Sequence, residues 1–405
     1  MIRCWRWGVV AFGAGCLGLS NAFGQIDPVK RELIQFGYNA ALEGHAPISA
    51  YAFYYHNQPG FLETNLTFRL AVAPTYLDSE LGIRNVLGQN TDLGVGVAGG
   101  GFADTYNEIR QGKFLTSESF DGYSGEVSLS LYHLFNPGQM IPLNGLLRGS
   151  VHYSAYSPTD QTAPGFEVPE NMASFKVRTG LRWGGREPTL FPALAMELSI
   201  WYQGEFRTED DTYGFGDRSV QPHSHFFWAE AFLAYTLPKW KHSFYINFTA
   251  GTSIDADRLN TYRLGGFLPM VAEFPLSIPG YYYQEISARA FVLMSGNYIF
   301  PLDKAQRWNL TATAASACVD YLAGTEQPGN WNTGISGGLF YASPTWRVMV
   351  GYGYGFDAIR TNGRGAQSIG FLLQIDLSPA KEAFFKSEPP GHWRGLQHIL
   401  DVFGS

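Results

Sequence analysis

The chain has 405 residues, of which 16% are aromatic and only 16% are charged, with 47 glycines and a net charge of −7. This negative balance argues against a nucleic-acid-binding protein, and after the N-terminus no run of about 18 apolar residues is available for a membrane helix. Many aromatics and glycines combined with few charges are typical of a transmembrane β-barrel, because lipid-facing and lumen-facing residues alternate along its strands.

The N-terminus has the pattern of an export signal. Arg3 and Arg6 form a positively charged start, and residues 8–19 are a short apolar core. Residues 20–22 are small and form a cleavage site of the usual type. We therefore predict a signal peptide over residues 1–22.

A short periplasmic leader is predicted over residues 23–47, with a helical turn at 30–42. Residues 48–377 then form one all-β domain in which apolar and polar residues alternate with period 2. Fourteen strands are predicted: 48–57, 62–76, 92–103, 122–134, 144–156, 173–183, 193–206, 225–237, 243–254, 284–300, 308–322, 332–342, 345–356 and 368–377. A segment at 81–87 allows a higher number, so the prediction is a single antiparallel up-and-down barrel of 14–16 strands.

The strand at 284–300 is the longest, whereas a soluble strand usually has about 5–6 residues. Its even positions, such as Val292 and Met294, are apolar, and several odd positions are polar. The same alternation predicts a set of charged lumen-lining residues: Glu126, Glu197, Glu230, Glu285, Arg289, Arg347 and Asp376. These residues either form a hydrogen-bonded structural lumen or line a path for a solute.

Connector lengths predict the orientation of the barrel. Long and short connectors alternate from about residue 105 onward, and long loops belong to the outside of a bacterial outer membrane. The longest external loop is then 255–283, and the connector at 77–91 is an exception on the periplasmic side. Residues 378–405 are predicted to be a periplasmic tail with a short helix at 392–403.

One stretch resembles a known family. Residues 263–266 (Arg-Leu-Gly-Gly), then 279–281 (Pro-Gly-Tyr), then a strand that closes with residues 297–302, are similar to the last external loop and following strand of the BamA-like (bacterial surface antigen) outer-membrane barrels. The similarity is strongest to the barrels appended to patatin-like phospholipases. It covers residues 260–377 well and the earlier strands in outline.

The resemblance implies an anchored loop. Residues 318–324 are similar to the family's aromatic-x-Asp-x-Gly signature, although Cys318 replaces the aromatic residue and the glycine lies two residues further on. By this resemblance Arg263 folds back into the lumen and pairs with Asp320. It also implies a set of loop glycines, Gly265, Gly266 and Gly280, and a closing-strand signal that the barrel-assembly machinery reads, Ser368, Gly370, Leu373 and Ile375.

Other motifs have simpler interpretations. Gly94, Gly96 and Gly99 match a dinucleotide-binding fingerprint, but no helix follows them, so we interpret them as strand glycines. His223 and His225 have no acidic or cysteine partner nearby, so no metal site is predicted. No serine–histidine pair is marked, and we expect neither a catalytic residue nor a cofactor.

The function suggested by the resemblance is outer-membrane assembly or translocation of protein or lipid. The segment between the signal and residue 48 is too short for a POTRA module, so we expect a separate periplasmic partner protein. Other expected partners are outer-membrane lipids, lipopolysaccharide and, during biogenesis, the barrel-assembly machinery; no nucleic acid is expected. The alternatives are a passive pore or hydrophobic-solute transporter, and a structural or adhesive surface protein.

Overall fold

A computed structural model describes residue 26 and residues 29–185, 191–268, 275–361 and 363–377. Sixteen long antiparallel strands form one barrel wall. They are β1 (Arg31–Ala41), β2 (Ser49–Pro59), β3 (Leu66–Ala73), β4 (Tyr76–Ile83), β5 (Thr91–Gly100), β6 (Phe120–Leu134), β7 (Leu143–Pro158), β8 (Met172–Gly185), β9 (Leu194–Arg207), β10 (His223–Thr236), β11 (Ser243–Ile254), β12 (Ile286–Pro301), β13 (Trp308–Tyr321), β14 (Trp331–Ala342), β15 (Trp346–Arg360) and β16 (Gly363–Asp376). The predicted all-β barrel is therefore confirmed, at the upper end of the predicted strand number.

The barrel is closed by pairing between its first and last strands. Each strand pairs with its neighbour in the sequence, and β16 pairs with β1 to complete the ring. A barrel of this kind has no free sheet edge. Within the part of the chain that the structure describes, no helix is long and apolar enough to cross a membrane.

The two ends of the barrel differ in their connections. At one end, which we call the long-loop end, residues 101–119, 159–171, 208–222 and 255–285 join consecutive strands. They carry short hairpins (Ile109–Arg110 with Lys113–Phe114, and Thr212–Tyr213 with Arg218–Ser219) and a short strand, Tyr262–Leu264, that pairs with β12. At the opposite, short-turn end the connections are brief, and the chain enters β1 and leaves β16 there.

The two faces of each strand follow the alternation of the sequence. On β12, Val292 and Met294 are exposed on the outside, while Leu293, Ser295 and Asn297 are buried toward the lumen. Outward aromatic side chains form a band near each end of the wall. At the short-turn end they are Trp183, Tyr235, Trp240, Phe300, Trp308 and Trp346, and toward the long-loop end Tyr123, Tyr153, Phe206, Phe227, Trp331 and Phe356. Two aromatic bands around an apolar wall are the surface pattern of a membrane-spanning barrel.

Two parts of the predicted strand assignment are wrong. Residues 31–41, assigned to the leader and partly to a helical turn, are strand β1, in which Leu33 and Gln35 are buried while Phe36 and Tyr38 are exposed. The connector predicted at 77–91 contains strand β4, joined to β3 by a two-residue turn. The predicted signal at 1–22 and the tail at 378–405 lie outside the described residues.

Candidate functional site: the luminal loop and the barrel seam

Residues 255–285 join β11 to β12, and the described parts of this luminal loop lie inside the barrel. The ring of Phe267 rests on the inner wall, because a Cβ atom at Gly351 or Gly370 would collide with it and one at Gly353 would come within 3.1 Å of it. These glycines lie on the neighbouring strands β15 and β16, where they leave room for the ring. The loop is therefore a plug that packs against the wall.

The plug extends deep into the lumen. Leu268 is fully buried, and it belongs to an apolar cluster to which seven strands contribute. The other members of this cluster are Ala195, Phe232, Ala234, Tyr245, Ile299, Phe340, Met349 and Leu372, all toward the short-turn end of their strands. Burial of one such leucine contributes about 1.5–3 kcal/mol, so this contact favours the inserted position of the loop.

The predicted loop glycines have the backbone conformations that favour glycine. Gly265, Gly266 and Gly280 have φ angles of 125°, 104° and 86°. A Cβ atom at position 280 would also collide with the backbone of Gly355 on β15. Glycine is needed at this position both for the left-handed backbone and for the close approach to the wall.

The anchor of the loop is a buried ion pair between Arg360 and Glu285. The two guanidinium Nη atoms donate to the two carboxylate oxygens at 2.8 and 2.9 Å, and both side chains are almost fully buried. The guanidinium also lies 3.7 Å from the centre of the Tyr282 ring and donates to the Gly280 carbonyl at 3.3 Å. The Tyr282 amide donates to Glu285 at 2.7 Å. This two-fold, charge-assisted contact fixes the base of the loop to the end of β15.

The predicted pair of Arg263 with Asp320 is wrong. Arg263 donates instead to the backbone carbonyls of Asn107 at 3.1 Å and Arg258 at 3.3 Å. Its guanidinium lies 4.7 Å from the centre of the Tyr106 ring. Arg263 therefore joins the luminal loop to the connection 101–119. The anchor that was predicted for Arg263 and Asp320 is provided by Arg360 and Glu285 instead.

Asp320 has a different partner because it lies on the outer face of β13. Val319 points inward and is buried, whereas Asp320 is exposed and forms an ion pair with Arg289 of β12. Both side chains of this pair are more than half exposed, at 60% and 52%. The prediction that Arg289 lines the lumen is therefore also wrong, because a β-bulge next to it shifts the alternation of β12.

Glu126 faces the lumen, as predicted, in a mixed-charge cluster on β6 and β7. It forms an ion pair with Arg148 at 3.1 Å and lies 3.3 Å from Nδ1 of His152. The other ring nitrogen of His152 lies 2.8 Å from Asp104 of the connection 101–119. Burial raises the pKa of Asp104, but hydrogen bonds from His152 and Ser154 outweigh this effect and lower it below its usual value.

The other predicted lumen residues also lie on inward faces. Glu197 is buried and forms an ion pair with Arg182 of β8 at 2.9 Å. Glu230 on β10 is buried as well. Arg347 and Asp376 occupy inward positions at the short-turn ends of β15 and β16. The charged wall is thus largely paired, as in a structural lumen.

A second charge cluster closes the long-loop end, and the sequence did not reveal it. Glu108 is fully buried and lies within 2.5 Å of Arg258, 3.1 Å of Arg110 and 3.6 Å of Arg218. Glu118 binds Arg110 and Arg218 as well. These residues come from three connections far apart in the sequence, so no local spacing signals their contact.

The seam between β1 and β16 is held by backbone pairing and by the luminal loop. Nine residue pairs join the two strands. At the long-loop end, Glu43 in the β1–β2 connection accepts hydrogen bonds from the backbone and side-chain nitrogens of Gln367 on β16, each at 2.5 Å. The Tyr282 hydroxyl of the luminal loop donates to the Glu43 carbonyl at 3.0 Å. The loop thus contacts Glu43 on one side of the seam and, through Arg360, β15 on the other.

The predicted closing-strand residues lie on β16, the strand that closes the barrel. Ser368 accepts a hydrogen bond from the Gly280 amide of the luminal loop at 3.1 Å, and Gly370 leaves room for the ring of Phe267. Leu373 and Ile375 lie on the opposite, outward face. Loop packing therefore explains the small inward residues, while recognition by an assembly machinery stays a prediction.

The glycine motif lies in a strand, and the histidine pair lies where a loop enters a strand, with His223 3.7 Å from Asp255. Gly94, Gly96 and Gly99 lie within strand β5. His223 and His225 begin β10, where His225 contacts the Tyr202 hydroxyl at 2.9 Å. Among the described residues, no group of three or more His, Cys, Asp or Glu is arranged to hold a metal ion.

Comparison with solved structures shows what this fold resembles. No family model and no curated protein matches the chain. CdiB from Acinetobacter baumannii matches with a TM-score of 0.56 at 10% identity over 86% of this chain. BamA from Haemophilus ducreyi lacking POTRA domains 1–3 has a TM-score of 0.55 at 11% identity over 86%. CdiB from Escherichia coli has a TM-score of 0.55 at 12% identity over 84%.

The matched region is a large part of these proteins but not all of them. It spans 60% and 63% of the two CdiB chains and 71% of the BamA chain. The identities are low, so the likeness concerns the fold. These matches and the sixteen closed strands show that the chain has the barrel fold of these CdiB and BamA structures, the fold that the resemblance implies.

Proposed function

We propose that the protein acts in the bacterial outer membrane in assembly or in translocation of protein or lipid, together with a separate periplasmic partner. The BamA-like fold supports the general class. The contacts of the luminal loop favour a barrel whose interior and seam rearrange during its function.

The observation that carries this proposal is the contact between the plug and the seam. Tyr282 and Glu285 are three residues apart in the same loop, and they contact Glu43 and Arg360, which lie on opposite sides of the β1–β16 junction. Separation of β1 from β16 must therefore break the Glu43–Gln367 contacts and disturb the base of the loop. A barrel that only provides a fixed hole has no need of such coupling.

A second candidate function, a passive path for a solute, is favoured by one feature of the inner wall. The charged side chains of Arg69, Asp78 and Arg148 are paired but remain 24%, 29% and 26% exposed. This side of the lumen is polar, in contrast to the apolar wall beneath the loop. A solute path along it requires no movement of the seam.

A disulfide across the seam distinguishes these functions. Tyr38 and Phe371 are directly paired outward residues of β1 and β16, so the variant is Tyr38→Cys with Phe371→Cys in a Cys318→Ser background. Directly opposed strand residues have Cα atoms about 4.5–5.5 Å apart, which suits a disulfide. We expect the oxidised variant to fail, and the reduced variant to succeed, in restoring outer-membrane protein levels to a strain that lacks the gene.

The matched control is a disulfide at another strand pair. Leu198 and Ala231 are opposed on β9 and β10 and also lie on the outward face. The variant Leu198→Cys with Ala231→Cys should support function in both redox states. Full function of the oxidised seam variant would contradict the proposal and favour a fixed pore.

A further inference from the structure

A cavity of about 300 Å³ lies among the connections at the long-loop end. Its walls are the connection 101–119, the start of β6 and the beginning of the connection 159–171. This volume is at the lower limit of ordinary ligand sites. It suits a ligand about the size of a single six-membered ring with its substituents.

The walls of this cavity are fixed to each other before any ligand binds. Thr162 donates through its hydroxyl to the Ser119 carbonyl at 2.8 Å, and the Ala163 amide donates to the Ser117 carbonyl at 2.9 Å. Glu118, in the short 3₁₀ helix between these contacts, binds Arg110 and Arg218. A preformed cavity binds a ligand without the entropic cost of ordering its own loops.

The lining combines apolar and polar surface, and part of its hydrogen-bonding capacity is unused. Among the described residues, the side chains of Asn107, Asp121, Asp160 and Gln161 have no hydrogen bond or ion pair within the protein. Amides both donate and accept hydrogen bonds, and carboxylates accept them. The hydroxyl groups of a sugar are donors and acceptors, so this set matches a polyhydroxylated ligand.

Two aromatic rings complete the site. Phe120 is fully buried and stacks on Tyr106 with ring centres 5.3 Å apart, which forms a rigid base. Phe114 lines the cavity and is only partly buried, so part of its ring is available for contact with an apolar ligand surface. A sugar ring has such a surface on its C–H face, while its hydroxyls point to the sides.

The charge of the lining selects among sugars. The residues that line the cavity include Asp121 and Asp160 but no Lys, Arg or His. Two uncompensated carboxylates repel an anionic ligand. Acidic sugars and phosphate groups are thus disfavoured relative to neutral hexoses and amino sugars.

We propose that this cavity is a binding site for one neutral or amino-sugar residue of a surface glycan. No residue of the seam or of the luminal loop lines this cavity, so the site adds a recognition function on the long-loop side of the barrel. It does not depend on the proposed role in translocation, which the seam disulfide tests independently.

Saturation-transfer NMR on the purified full chain in detergent tests the proposal. The probes are methyl glucoside, methyl galactoside, N-acetylglucosamine and glucuronate. We expect ring-proton signals from at least one of the first three and none from glucuronate. Phe114→Ala and Asp121→Asn should each reduce these signals at least five-fold. Phe102→Ala and Asp210→Asn remove an aromatic and a carboxylate that do not line the cavity, so they should leave the signals unchanged.

Three outcomes would overturn the proposal: no signal from any sugar, equal signals in the Phe114→Ala variant, or binding of Ca²⁺ alone without sugar. A shift in gel mobility on heating verifies that each variant is folded. Polysaccharide released from the host's own lipopolysaccharide and polysaccharides from unrelated species, used as competitors, then distinguish the cell's own glycan from a foreign one.

Discussion

At the scale of single residues, Arg360 and Glu285 form the most buried charged contact of the luminal loop. A buried ion pair contributes little net stability over an apolar replacement, but removal of one partner leaves an isolated charge. The exposed pair of Arg289 and Asp320 also joins an arginine to a carboxylate, on neighbouring strands. The two pairs differ in burial and in the further contacts of Arg360, so the exposed pair is a reference for an arginine–carboxylate contact open to solvent.

We predict that Arg360→Ala destabilises the barrel by about 3–5 kcal/mol, the cost of leaving a buried carboxylate without its partner. The corresponding change Arg289→Ala should cost only about 0–1 kcal/mol, as for other exposed pairs. Equilibrium unfolding in urea with the barrel in detergent measures both. Equal losses in the two variants would show that Arg360 does not anchor the loop.

The glycine seat of Phe267 provides a second prediction at this scale. Gly370→Leu places a side chain where the ring lies, so we expect a loss of about 1–3 kcal/mol or more from overpacking. Addition of Phe267→Ala should recover part of this loss, because the shorter side chain makes room. Gly125→Leu is the control, since a Cβ atom there meets nothing within 4 Å. A purely additive double variant would contradict contact between the loop and this wall.

At the scale of the strand, the sequence predicts most of the wall, and the two failures have physical reasons. In β1 the apolar residues Leu33 and Phe36 are also spaced like one face of a helix, which hides the alternation of Ile34, Phe36 and Tyr38. The β3–β4 turn contains only Pro74 and Thr75, so the predicted strand 62–76 runs across it and most of β4 is assigned to the connector 77–91. Short strands contain too few repeats of the period to resolve such ambiguities.

The site was harder to predict than the wall. Spacing identifies which residues share a face but not which face is inward. On β13 the inward residues Ala315, Ala317 and Val319 are apolar because they contact neighbouring apolar residues at the base of the loop, which reverses the expected polar lumen. Asp320 therefore points outward. The partner of Glu285 lies 75 residues later, beyond the reach of any local motif.

The connection 101–119 gives a prediction at the scale of one loop. The lowered pKa of Asp104 means that its contact with His152 and Ser154 stabilises the docked loop above the usual carboxyl pKa of about 3.9 and loses this effect as the pH falls through the lowered value. A nitroxide at Lys113→Cys, in a Cys318→Ser background, reports loop mobility by electron paramagnetic resonance.

We expect Asp104→Asn to raise this mobility at neutral pH, where wild type remains docked. The difference between the two proteins should be full above the usual carboxyl pKa of about 3.9 and should disappear only as the pH falls through the lowered pKa of Asp104. Asp160→Asn is the control, since this carboxylate has no contact with His152. A constant difference across the pH range would show that the charge of Asp104 does not hold the loop.

At the scale of the whole molecule, the lumen has two unlike halves. The luminal loop packs on the apolar and glycine-rich wall of β12–β16. Paired charges cover the wall of β3–β9, and the Glu108 cluster closes the long-loop end above them. The luminal loop therefore acts as a plug on one side of the lumen, and the Glu108 cluster forms a cap at the long-loop end. This is the arrangement of a closed state.

We predict that the wild-type barrel shows only low or transient conductance in planar lipid bilayers, because plug and cap together obstruct the lumen. Replacement of residues 266–280 by a short Gly-Ser linker removes Phe267, Leu268 and Ile278 from the interior and should produce a large, steady conductance. Replacement of residues 209–216, which shortens a connection at the long-loop end but leaves the plug in place, should not produce such a conductance.

A large steady conductance of the wild type would contradict a plugged lumen and support the passive pore. An unaltered conductance after removal of the plug would mean that the cap, and not the luminal loop, sets the closed state.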